Sequence, residues 1–103
     1  MGLLDSLFGK GKKAENIKTA LSKGALIVDV RSPGEFNNGA VPGAVNYPVQ
    51  TLALNISKIK KTGKPVIAYC ASGMRSAAAT AQLKASGIEA YNAGTANGVM
   101  KHM

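Results

Sequence analysis

Apolar residues in this chain are arranged in two textures. Short continuous runs, Ala25-Leu26-Ile27-Val28-Asp29-Val30 and Pro65-Val66-Ile67-Ala68-Tyr69, are bounded by glycine, proline or polar residues. Such runs predict strands buried on both faces. Shorter candidates are Asn16-Ile17 as an edge strand, Ala44-Val45-Asn46-Tyr47 between Pro42-Gly43 and Pro48, and Ile88-Glu89-Ala90-Tyr91. The second texture has helical spacing. Lys18 to Lys23 predicts a helical turn stopped by Gly24, and Leu52, Ile56 and Ile59 predict a helix over Thr51–Lys61 with a lysine-rich outer face. Alanine-rich Ser76–Ser86 predicts a helix closed by Gly87. Ser32-Pro33-Gly34-Glu35 has the form of an N-cap, a proline at the first helical position and a glutamate at the third, so a short helix starts there and ends at Asn37-Asn38-Gly39. Ala93–Met103 is a glycine-punctuated tail with room for one helical turn. Strands alternating with helices imply α/β architecture, a parallel sheet with helices on both faces.

The pattern divides the chain into residues 1–13 and a domain over 14–103. In the first segment Leu3, Leu4, Leu7 and Phe8 fall at helical spacing before Gly9-Lys10-Gly11-Lys12-Lys13 breaks it. Membrane contact through residues 1–13 is one expectation, since basic residues follow an apolar face and Gly2 and Ser6 fit a myristoylation pattern. A short helix packed on the domain, or a flexible segment, is the favoured one. The chain lacks a run of about 20 apolar residues that could span a bilayer. No secretory signal is evident, so a cytoplasmic location is the default expectation.

The formal charge is +8, carried largely by lysines, and arginine occurs only as Arg31 and Arg75. A solvated, soluble surface is the favoured reading of the lysines. Nucleic-acid binding is not expected, because no aromatic residues interleave the basic clusters. The sparing use of arginine points to two places that need its planar fork.

The chain has one cysteine, Cys70, which excludes an internal disulfide and any paired-cysteine metal or redox site. The one histidine, His102, stands at the end of the chain, so a Cys–His catalytic pair is not expected. Cys70 lies at the carboxyl end of a predicted strand, where open parallel sheets bind ligands. The segment Cys70-Ala71-Ser72-Gly73-Met74-Arg75 then enters a helix, whose unpaired N–H groups and positive dipole end would cradle an anion. Gly73 permits the bend, and Arg75 places a cation beside the sulfur. This environment predicts a thiol pKa in the range of about 3.5–7.5. The competing reading is a buried structural cysteine.

Several linked motifs go further. Val28-Asp29-Val30-Arg31, Pro33-Gly34-Glu35-Phe36, Gly39-Ala40-Val41-Pro42-Gly43-Ala44-Val45-Asn46-Tyr47-Pro48 and Val66–Arg75, in that order, resemble a single-domain rhodanese-like sulfurtransferase. The resemblance extends from about Ala14 to Gly94. It implies a three-layer α/β/α fold with a five-stranded parallel sheet and a thiosulfate sulfurtransferase type of ping-pong reaction. Cys70 would take sulfane sulfur from a small anionic donor such as thiosulfate, hold it as a persulfide and pass it to a thiol or cyanide, or to a sulfur-accepting protein. No cofactor or metal is implied. Carried over by motif, Cys70 is catalytic. Ala71, Ser72, Gly73, Met74 and Arg75 bind substrate, and Asp29 and Arg31 support the domain on its active-site side.

Two other readings stay open. A rhodanese-like module could carry persulfide, or bind a partner, without turnover. Related phosphatases and arsenate reductases place one more residue between cysteine and arginine, so the four-residue spacing here favours sulfur over phosphorus. The chain departs from the family's pattern at Ala40, where histidine is frequent, at Gly94-Thr95, where a glycine pair is usual, and in the tail, which lacks the expected aromatic.

Overall fold

The computed structural model describes residues 10–103, so the expectations for residues 1–9 lie outside the described residues. The first helix, α1, spans Lys10–Ser22 without a break at Gly11 or at the 13/14 boundary. Asn16-Ile17 is therefore helix, not an edge strand. Ile17 and Ala20 are both buried and Leu21 packs beside them, which is the three- and four-residue spacing of one helical face.

Strand β1 (Leu26–Asp29) leads to the short helix α2 (Pro33–Asn37), then β2 (Val45–Asn46). The expected Thr51–Lys61 helix is two pieces, a 3-10 helix over Val49–Asn55 and α3 over Ile56–Lys61. Strand β3 (Val66–Tyr69) feeds α4 (Met74–Ala85), followed by β4 (Ala90–Gly94) and α5 (Ala96–Met100). All strand pairings are parallel, in the order β2-β1-β3-β4. The sheet of the described residues thus has four strands instead of five, because the segment expected to supply an edge strand forms a helix.

Alternation along β3 explains the three layers. Val66, Ala68 and Cys70 face one side, with Leu52, Ile59, Ala79 and Leu83 from the 3-10 helix, α3 and α4. Ile67 and Tyr69 face the other, with Ile17, Ala20 and Val99 from α1 and α5. Each face of a strand is covered by helix, so both alternating sets must be apolar.

Strand β4 starts two residues later than Ile88. Gly87, at φ +84°, donates to the Lys84 carbonyl, and Ile88 donates to the Leu83 carbonyl at 3.0 Å. This Schellman closure engages the Ile88 N–H, which is then not free to pair in the sheet. Further along β4, Ala68 is paired with Asn92 but Tyr69 with Gly94, a bulge that leaves Ala93 over. Bulges bend a strand and re-aim its side chains. Here the bend turns Asn92 and Gly94 toward the loop that follows β3.

Candidate active site

Cys70 follows β3 directly and Gly73 is the N-cap of α4. Gly73 adopts φ +96°, and a Cβ there would stand 3.3 Å from the Cα of Gly94. The positive φ favours glycine, and a Cβ would press on the Gly94 backbone. The tight turn aims amides back at the sulfur. The Gly73 N–H donates to Cys70 Sγ at 3.0 Å, and the Ser76 N–H donates to it at 3.4 Å. Cys70 is only 2% exposed, so the sulfur lies at the bottom of the turn.

A second tier of polar groups stands behind the sulfur. Ser76, fully buried, brings its Oγ to 3.3 Å from Cys70 Sγ. The same hydroxyl donates to Asn92 Oδ1 at 2.6 Å. Asn92 is fixed in turn, accepting from the Gly94 N–H at 2.9 Å and donating through Nδ2 to the Gly73 carbonyl at 3.3 Å. A serine hydroxyl has one proton. With a neutral thiol, that proton serves Asn92 and the S–H donates to Ser76. With a thiolate, the hydroxyl can turn its proton to the sulfur. Burial pushes the thiol pKa up, but the Ser76 hydroxyl and the Ser76, Gly73 and Ser72 amides outweigh it and bring the pKa down to about 7.

Arg75 is not the free cation that was expected. Its Nη1 and Nη2 donate to Glu35 Oε1 and Oε2 at 2.7 and 3.1 Å. Glu35 also closes a capping box at the start of α2, accepting from the Ser32 N–H while its own N–H donates to Ser32 Oγ. The bonds from Arg75, with those from Ser32, hold the Glu35 pKa down at about 2. The loop's arginine is therefore paired with an ionised carboxylate. Ala71, Ser72 and Met74 lie exposed around the turn, with the Met74 side chain outward.

Asp29 and Arg31 form a separate, closed group at the end of β1. Asp29 is fully buried and receives Arg31 Nε at 3.0 Å, Arg31 Nη2 at 2.6 Å and the Arg31 N–H at 2.9 Å. Tyr69 Oη donates to Asp29 Oδ2 at 2.7 Å and accepts from the Val41 N–H. Arg31 Nη2 also reaches the Gly39 carbonyl at 2.7 Å, and its guanidinium lies 5.5 Å from the centre of the Tyr69 ring. Burial pushes the Asp29 pKa up, but the bonds from Arg31 and Tyr69 outweigh it and leave it below the ordinary value. The group ties the 39–41 loop to β1 and β3. None of its bonds goes to Cys70.

The structure thus gathers Cys70 and its loop through Arg75 at one strand end and sets Asp29 and Arg31 at the next. Sequence reasoning did not single out Ser76 or Asn92, and it read Glu35 only as a cap. The available signal for Ser76 was its place in the first turn of a helix that opens on the cysteine loop.

Residues 13–99 match the family described as the rhodanese-like domain, and the chain belongs to that family. Among its relatives, a sulfurtransferase of Allochromatium vinosum is 36% identical over 70 residues, covering 68% of this chain and 64% of that protein. The Bacillus subtilis protein YqhL, named as uncharacterized, is 41% identical over 69 residues, covering 66% of this chain and 54% of its own length. The chain therefore spans between half and two thirds of these curated relatives. A solved structure of a human single-domain sulfurtransferase, TSTD1, superposes with a TM-score of 0.66 at 27% identity, covering 84% of this chain and 91% of that one. Among the described residues, no helix is long and apolar enough to cross a membrane.

Proposed function

We propose that the chain is a sulfurtransferase in which Cys70 carries sulfur as a persulfide. One observation bears the most weight. A buried, unpaired cysteine accepts two backbone N–H groups, at 3.0 and 3.4 Å, inside a turn that ends in a helix N-terminus. That arrangement stabilises sulfur as an anion, which is the state needed to attack sulfane sulfur and to hold the persulfide anion afterwards. With thiosulfate, the Cys70 thiolate attacks the outer sulfur, a new S–S bond forms, the old one breaks and sulfite leaves with its electron pair. A thiol or cyanide then attacks the outer sulfur of the persulfide and Cys70 leaves as thiolate. Ser72, Gly73 and Ser76 supply the amides, Ala71 and Met74 form the exposed rim, and Asp29 and Arg31 hold the neighbouring loops.

The test is intact mass after incubation with thiosulfate, followed by cyanide and a thiocyanate assay. The expected result is the gain of one sulfur atom, its loss on cyanide addition, and thiocyanate release. A wild-type chain that gains no sulfur from thiosulfate or from an alkyl persulfide, or a Cys70→Ala chain that gains as much as the wild type, overturns the reading. A sulfur adduct without turnover would favour the carrier reading. The Arg75–Glu35 pair gives that reading some support, since it leaves the loop without an uncompensated cation for a small dianion.

A further inference from the structure

Resting on that reading, we propose that Glu35 sets the class of sulfur donor: by holding Arg75 in a two-bond ion pair at the mouth of the Cys70 loop, it selects a persulfide donor over dianionic thiosulfate. Arg31 is consumed by Asp29 in the closed group beside the site. Arg75, the cation of the loop itself, is engaged at both terminal nitrogens by Glu35, with distances of 2.7 and 3.1 Å. Both partners are partly exposed, with side chains 35% and 37% accessible, so an incoming molecule meets the carboxylate as well as the guanidinium.

Thiosulfate brings two negative charges, mostly on sulfonate oxygens that need cationic donors. It would have to share Arg75 with a carboxylate that repels it. An alkyl persulfide, R–S–SH, makes no such demand. Its reactive end is sulfur alone, which the amides of the Cys70 turn can hold. The transfer balances as Cys70–S⁻ + R–S–SH giving Cys70–S–SH + R–S⁻, one S–S bond formed and one broken, with no oxidant or reductant. Complementary charge governs the capture of charged ligands, and a like charge at the rim is a means of exclusion.

Glu35→Gln isolates the charge, because glutamine preserves the capping box. Initial rates would be measured with thiosulfate and with 2-hydroxyethyl persulfide, whose tail is uncharged, for the wild type, Glu35→Gln, Arg75→Gln and the double variant. Removing the carboxylate should lower the KM for thiosulfate about tenfold with little change in kcat. Arg75→Gln, which bares Glu35, should raise it by a similar factor, and the double variant should return close to the wild type. The KM for the persulfide should stay within about twofold throughout. A purely structural role for Glu35 predicts loss, never a gain, for thiosulfate. An unchanged or raised thiosulfate KM in Glu35→Gln, or an equal shift for both donors, overturns the proposal. Wild-type protein that takes sulfur from the persulfide while failing that KM test would sink the donor assignment alone. Wild-type protein that takes sulfur from neither donor sinks the sulfurtransferase reading as well.

Discussion

The two arginines of this chain make the same kind of contact and serve different ends. Arg31 and Arg75 each follow a strand of the sheet and each grips a carboxylate with two nitrogens. Asp29, the partner of Arg31, is fully buried and further bound by Tyr69. Glu35, the partner of Arg75, stands at the surface and answers otherwise only to Ser32. A buried pair is expensive to break, since the survivor keeps its charge where water cannot reach it. An exposed pair contributes little to stability, yet its field reaches whatever approaches the site. The closed pair is therefore assigned to the frame and the open pair to the traffic of ligands.

The largest effect that would test this division is chemical. Cys70→Ala should abolish the sulfur adduct seen by intact mass, while circular dichroism remains that of the wild type. Persistence of the adduct would remove the open site from the comparison altogether. Next in size comes the frame. Asp29→Ala strips Arg31 and Tyr69 of their common acceptor and should cost about 3–5 kcal/mol in urea unfolding. Glu35→Ala should shift the urea midpoint only slightly. Equal losses in the two variants would erase the distinction drawn above.

Much of the fold could be foreseen from the chain, and the limits of that reading have physical causes. The apolar runs at 25–30 and 65–69 signalled buried strands because both faces of a covered parallel sheet want the same residues. The cap at Ser32 was equally legible, being a local pattern of side chain and backbone. Asn16-Ile17 was misread because two residues carry no period. Only the distant burial of Ile17 and Ala20 on the sheet decides for helix. At the site, Cys70 and its glycine stood out because turn chemistry is local. Ser76 to Asn92 and Glu35 to Arg75 are contacts between residues 16 and 40 positions apart, and a single sequence has no signal for them. The bulge that brings Asn92 to Ser76 is likewise a product of strand pairing, not of local composition.

A third and smaller effect probes the turn that holds the sulfur. Gly73→Ala forces an L residue to φ +96° and sets its Cβ against Gly94. The conformational cost alone is about 1–2 kcal/mol. Relief would come from rotating the 72–74 backbone, which swings the Gly73 N–H off the sulfur. Loss of stability should therefore be accompanied by a higher pH for half-maximal alkylation of Cys70 by iodoacetamide. A stability loss with no change in the alkylation profile would show that this amide does not hold the thiolate.

The subtlest test concerns the Ser76 hydroxyl, which stands between the sulfur and Asn92. In the wild type, alkylation should be half-maximal near pH 7, where the thiol titrates. Ser76→Ala removes one hydrogen bond to an ionised group, worth about 1.5 kcal/mol, so the midpoint should rise by about one pH unit. Ser76→Thr, which keeps the hydroxyl, should largely restore it. The linked effect on folding has a definite sign. A thiol whose pKa is lower in the folded chain than in the unfolded one stabilises the fold only when ionised. The contribution is complete above the unfolded value of about 8.5 and is lost as pH falls through 7. Relative to Cys70→Ala, the wild type should thus gain stability between pH 7 and pH 9, and Ser76→Ala should gain less. An identical pH dependence in all three chains would mean that the cradle stabilises thiol and thiolate alike, and the open site would lose the property that sets it apart from the closed one.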